Sequence, residues 1–161
     1  MRKQKGFSLI ELLIVVAIIL IIAAIAVPNL LRSRMAANEA SAVGSIRTIN
    51  TAQVTYAATY PAIGYTNLAA LGGAAGACNP GPLTACIVDP ALSQAPNTKS
   101  GFTFASVAVV PAAGPNIAFT ATGNPQTFGT TGMRNFFSDQ SFVIRYSTNG
   151  NPATVNDTAL Q

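Results

Sequence analysis

The sequence predicts an α+β protein: a long N-terminal α-helix, membrane-spanning over its first half, packs its second half on a small antiparallel β-sheet head. Three observations predict it. Residues 7–27 are apolar apart from Ser8 and Glu11, and the run LLIVVAIILIIAAIAV at 12–27 contains nothing polar; about 20 such residues cross the hydrocarbon core of a bilayer as a helix. Beyond Pro28, apolar residues recur at helical spacing on one side only, as far as Tyr60. After residue 100, short alternating runs are separated by Gly, Pro and Asn, the pattern of strands joined by turns.

Composition narrows the chemistry. A chain of 161 residues has room for one domain with an appendage, and 50% apolar against 9% charged residues excludes a disordered chain. There is no His, which removes the commonest metal ligand and the commonest neutral-pH base, and two Cys cannot build a Cys-rich zinc site. Asp89, Asp139 and Asp157 fall in loops or the tail without an acidic partner, and neither a G-x-S-x-G elbow nor a phosphate loop is present. No catalytic residue, metal site or cofactor is expected. Of the formal charge of +4, Arg2, Lys3 and Lys5 carry most. Outside this leader the signs nearly balance, so no nucleic-acid partner is expected from charge.

A basic start, an apolar run and Ala24-Ile25-Ala26 also make a secretory signal. Cleavage after Ala26 would release an exported soluble binding module. Against this, the apolar run exceeds the usual 7–15 residues of a signal peptide, and it carries Glu11. An ionised side chain inside a membrane helix costs roughly 2.5–3.5 kcal/mol on insertion scales. Glu11 therefore calls for a cation, and a cut before Phe7 would supply one: a new α-amino group four residues, or one turn, away. Within a chain the pair shares a face; between packed chains it fixes their register. At about 4 Å and an effective dielectric of 20, the attraction is about 4 kcal/mol, enough to offset much of the burial cost.

The segment Gly6-Phe7-Ser8-Leu9-Ile10-Glu11-Leu12-Leu13-Ile14-Val15-Val16-Ala17-Ile18-Ile19 resembles the N-terminal signature of the type IV pilin family, which includes the pseudopilins of type II secretion. The resemblance covers about the first 35 residues closely. It implies cleavage between Gly6 and Phe7 by a membrane-embedded prepilin peptidase, N-methylation of Phe7, and a Glu11 carboxylate that meets the amine of a neighbouring subunit. It further implies a homo-polymer built through the N-terminal helices, single-pass insertion in the bacterial inner membrane with the leader cytoplasmic, and contact with an assembly platform. The end product would be an extracellular pilus or, for a pseudopilin, a periplasmic pseudopilus. Pro28 matches a family position where the helix bends or loosens; it also reads as a kink at the membrane edge. The resulting division is a leader at 1–6, an assembly helix at 7–27, its amphipathic continuation at 28–60 and a head at 61–161.

In the second half of the helix the stripe is Leu31, Met35, Ala42, Ile46, Ile49, Tyr56 and Tyr60, with Glu39 and Gln53 filling gaps; Arg32, Arg34, Asn38, Ser41, Ser45, Thr48 and Thr55 lie largely off it. Pro61 marks the stop, giving a rod of roughly 80 Å at 1.5 Å per residue. Residues 62–98, rich in Gly, Ala, Pro and Asn, read as a connector lacking its own core. It holds Cys78 and Cys86, which form a disulfide outside the cytoplasm or else remain two small free apolar side chains. Strands are expected at 101–110, 117–122 and 141–147, with an edge strand at 133–137, and the tail from Thr148 reads as loose. The tripeptide Asn156-Asp157-Thr158 matches a glycosylation sequon but reads as ordinary polar tail.

Overall fold

The computed structural model describes residues 7–73, 76 and 78–160. The chain divides into two compact units, Met1–Arg34 and Met35–Gln161. Helix α1 is Leu9–Thr59 and contains Pro28. In the first unit it is long and apolar enough to cross a membrane. Its large apolar side chains from Phe7 to Leu31 are 42–81% exposed. Straight-chain and branched aliphatics on every side make a helix whose whole surface needs a non-aqueous neighbour.

In the second unit the same helix becomes one-sided. Its buried face runs from Glu39 through Ala42, Val43, Ser45, Ile46, Ile49, Asn50, Ala52 and Gln53 to Tyr56. The stripe predicted from spacing is therefore buried from Glu39 to Tyr56, while Leu31 is exposed and Met35 and Tyr60 are half-buried. Ser45, expected off the stripe, lies inside it because its hydroxyl donates to the Ser41 carbonyl at 3.0 Å and so needs no water. The helix ends at Thr59, and Pro61 follows immediately.

That face covers a six-stranded antiparallel meander, β1 Thr98–Lys99, β2 Phe102–Val109, β3 Ala118–Pro125, β4 Asn135–Asp139, β5 Arg145–Ser147 and β6 Thr158–Ala159, in sequential order. The α+β architecture is thus as the sequence predicts. Phe102, Phe104, Phe119 and Phe136 point inward onto Ile46, Ile49 and Tyr56. The register sets Gly123 opposite both Phe104 and Phe136. A side chain there would meet the Phe104 ring at 3.0 Å and Ile46 Cδ1 at 3.2 Å, so the missing Cβ is what lets helix and aromatics close up.

Four local readings need correction. The segment expected as an edge strand at 133–137 is β4, shifted to 135–139 and interior between β3 and β5. Only the last three residues of 141–147 pair; Asp139 accepts the Ser141 N–H at 2.9 Å, and Phe142 turns at φ 60°, so the chain turns at Ser141 and is irregular to Ile144 rather than strand. The tail is tied down by β6, by an Arg145 guanidinium bond to the Asp157 carbonyl at 3.1 Å and by Leu160 N–H donating to Ile144. The connector carries core: α2 Leu68–Leu71 and α3 Pro90–Ser93, capped by Asn67 and Asp89, bring in Leu68, Leu71 and Leu92, and Val88 joins them.

Cys78 and Cys86 are bonded, with their Cα atoms 5.9 Å apart. Gly73 lies so close to Cys78 Sγ that a Cβ would overlap it. Closing so short a loop stabilises the folded head by about 2.5 kcal/mol in the chain-entropy view. Replacing both cysteines by Ser should lower stability by about that amount, read as a lower denaturant midpoint of the full chain in detergent; an unchanged midpoint would show the bridge to be redundant with the core contacts of Leu71 and Val88.

Candidate assembly site

The functional candidates from the sequence cluster at the start of α1. Gly6, the residue before the expected cut, lies outside the described residues. Phe7 is 81% exposed and precedes the helix. Ser8 is the residue before the first helical position, and Glu11 is the third position inside. From there the Glu11 carboxylate reaches back, and Ser8 N–H donates to Glu11 Oε2 at 2.9 Å. Leu12 N–H closes the first turn onto the Ser8 carbonyl at 3.3 Å. This is the acidic half of a capping box: a carboxylate at the third position satisfies an orphan N–H and opposes the positive end of the helix dipole.

The Ser8 N–H gives Glu11 a partner within its own chain, and that partner is not a neutralising one. A backbone N–H offsets part of the cost of desolvating a carboxylate; a full positive charge offsets far more. Among the described residues the single ion pair is Glu39–Arg134, so Glu11 pairs with no cation there. Ser8 was not among the residues singled out from sequence, although Ser8-Leu9-Ile10-Glu11 is the S-x-x-E signal that could have found it. Pro28 sits within the helix. Cys78 and Cys86 belong to the head, away in sequence from this segment.

A second set of side chains holds the head together. The helix fastens a different loop or strand at almost every turn. The Glu39 carboxylate accepts from Met133 N–H at 2.7 Å and from Arg134 Nε at 2.8 Å, while the Arg134 guanidinium lies 5.7 Å from the Phe136 ring centroid and 5.5 Å from that of Tyr146. Asn50 donates to Ser138 Oγ at 2.9 Å, and Tyr56 donates to the Pro82 carbonyl at 2.6 Å. Gln53 holds Thr66 and Ser106 at once.

A family model described as the prokaryotic N-terminal methylation motif matches residues 1–27. The chain is 64% identical over 39 residues to the type IV wide pilus major component PilA4 of Thermus thermophilus, a match covering 24% of this chain and 30% of that protein. It is 43% identical over 54 residues to the type IV major pilin protein PilA of Myxococcus xanthus, covering 34% of this chain and 24% of that protein. The matched stretch thus spans less than a third of either relative's length. No solved structure matches the chain. On the methylation motif and these two matches, the N-terminal segment of the chain is similar to that of type IV major pilins.

Proposed function

We propose that this chain is the precursor of a structural subunit of a type IV pilus. It inserts in the inner membrane by residues 7–27 with the leader cytoplasmic. A prepilin peptidase cuts it between Gly6 and Phe7, and Phe7 is N-methylated. The mature chains then polymerise through α1 on an assembly platform into an extracellular filament. The observation that carries this reading is a segment, residues 7–27, apolar on every side, whose one acid is held by a backbone N–H and by no cation among the described residues. Lipid and a bundle of identical helices present similar apolar surroundings, so transfer from one to the other costs little solvation energy. Pro28 lets the helix bend as it moves between them. The cut supplies a cation for Glu11, and in a bundle that cation comes from the neighbour.

A secretion pseudopilin is less favoured, because both named relatives are major pilins. Export with cleavage after Ala26 is also less favoured, since it would discard the segment that matches the methylation motif. The intact mass and N-terminal sequence of native material test the proposal. The expected mature chain starts at Phe7 and carries one added methyl group. A chain starting at Val27 would identify an exported module, and one retaining Met1 an unprocessed anchor.

A further inference from the structure

The head leaves one carboxylate and one groove-lining cation without partners. The sequence holds five acids. Glu11 lies in the first unit, and Glu39 is closed by Arg134 and Met133. Asp139 is buried and bonded to Ser141, and Asp157 accepts from the Thr154 N–H and hydroxyl. Asp89 alone is an exposed acid in the head: its Oδ1 caps α3 by accepting Ala91 N–H at 2.8 Å, while Oδ2 accepts no hydrogen bond among the described residues. Among the cations, Arg134 and Arg145 are held internally. Lys99 is exposed on the two-residue edge strand β1, where a lysine serves to discourage pairing.

Arg47 is different. It is exposed on α1 in no ion pair among the described residues, and it stands between two grooves of about 370 and 300 Å³. The larger is walled by Val54 and Phe142, 48% and 40% exposed, and by Asn50, whose buried Oδ1 has no hydrogen-bond partner. Ile87 borders the smaller groove. An ion pair on a flat, wet surface contributes little, but one seated between apolar walls is screened less by water and salt.

We propose that the Arg47 groove of one head receives the Asp89 carboxylate and the first turn of α3 from the next copy of this chain. The inference rests on the filament reading above. The contact proposed is the unreciprocated, head-to-tail one: it leaves a free Arg47 at one end and a free Asp89 at the other, and it repeats without closing on itself, as a filament requires.

Filament yield from the full chain, measured as polymer sheared from cells and pelleted, tests the contact. Arg47→Glu and Asp89→Arg should each lower yield at least tenfold, and the double reversal should restore it to within about threefold of the unmodified chain. Asp89→Asn keeps an N-cap while removing the charge, so it should also lower yield without changing the head's denaturant midpoint. Single variants that polymerise normally, or a double reversal as defective as either single with an unchanged midpoint, would overturn the proposal. Loss of polymer in Lys99→Glu but not in Arg47→Glu would overturn it in favour of a different cation. Absence of filaments from the unmodified chain would instead refute the filament reading, and this contact with it.

Discussion

Glu11→Gln is expected to leave the chain inserted in the membrane and to lower its incorporation into filaments at least tenfold. The substitution separates two roles that share one side chain. Gln, like Glu, serves at the third helical position of a capping box, so the amide oxygen can still accept Ser8 N–H, as Glu11 Oε2 does at 2.9 Å. Side-chain length and the first turn are therefore kept. What disappears is the negative charge. Its loss removes an insertion penalty of roughly 2.5–3.5 kcal/mol, so membrane partitioning should hold or improve. Its loss also removes the partner of the amine that the proposed cut creates at Phe7. The gross attraction there is about 4 kcal/mol at an effective dielectric of 20, and each 1.4 kcal/mol surviving desolvation is about tenfold in the association constant. Glu11→Ala removes cap and charge together. Membrane and sheared fractions, probed for both variants, decide between the roles: filaments from Glu11→Gln but not from Glu11→Ala would mean that Glu11 acts through the helix cap alone.

Those parts of the fold fixed by long, periodic patterns were legible. The helix ends at Thr59, one residue before Tyr60 and two before the Pro61 stop; β2 falls within the run predicted before the Pro111–Pro115 turn, and β3 starts within the run predicted after it and continues to Pro125. What misled were segments whose burial depends on distant partners. Asn135 and Asp139 are polar ends of β4, and both are buried between neighbouring strands, so alternation gave no sign of an interior strand. Ser141–Ile144 has strand-like composition, yet Asp139 accepts the Ser141 N–H and a positive φ at Phe142 turns the chain. The connector looked coreless because Leu68, Leu71, Val88 and Leu92 are isolated in sequence; four-residue helices and the Cys78–Cys86 bond gather them. At the assembly site the acid stood out against its apolar surroundings. Its local partner Ser8 did not, because attention to charge passed over a backbone donor.

Gln53→Leu should destabilise the head by about 2 kcal/mol, although it places a more apolar side chain of similar volume at a fully buried position. Gln53 is 0% exposed. Its Nε2 donates to the Thr66 carbonyl at 2.6 Å and to Ser106 Oγ at 3.0 Å, and its Oε1 accepts Thr66 N–H at 3.0 Å. Both backbone groups of Thr66 thus find their partners on one side chain of α1. Leucine would strand them, and each buried unpaired donor or acceptor costs about 1–3 kcal/mol. The apolar gain is smaller, since a Leu fully transferred from water contributes about 1.5–3 kcal/mol and must forgo the polar clamp to do so. Ser106 can rotate its hydroxyl, so it adds little to the loss. Ile49→Val, a similarly buried but purely apolar change on the same face, should cost only about 0.5–1.5 kcal/mol. Denaturant unfolding of the full chain in detergent, compared at constant slope, separates the two. A Gln53→Leu midpoint at or above that of Ile49→Val would mean that Thr66 is served by water, and that the helix holds the start of the connector by packing alone.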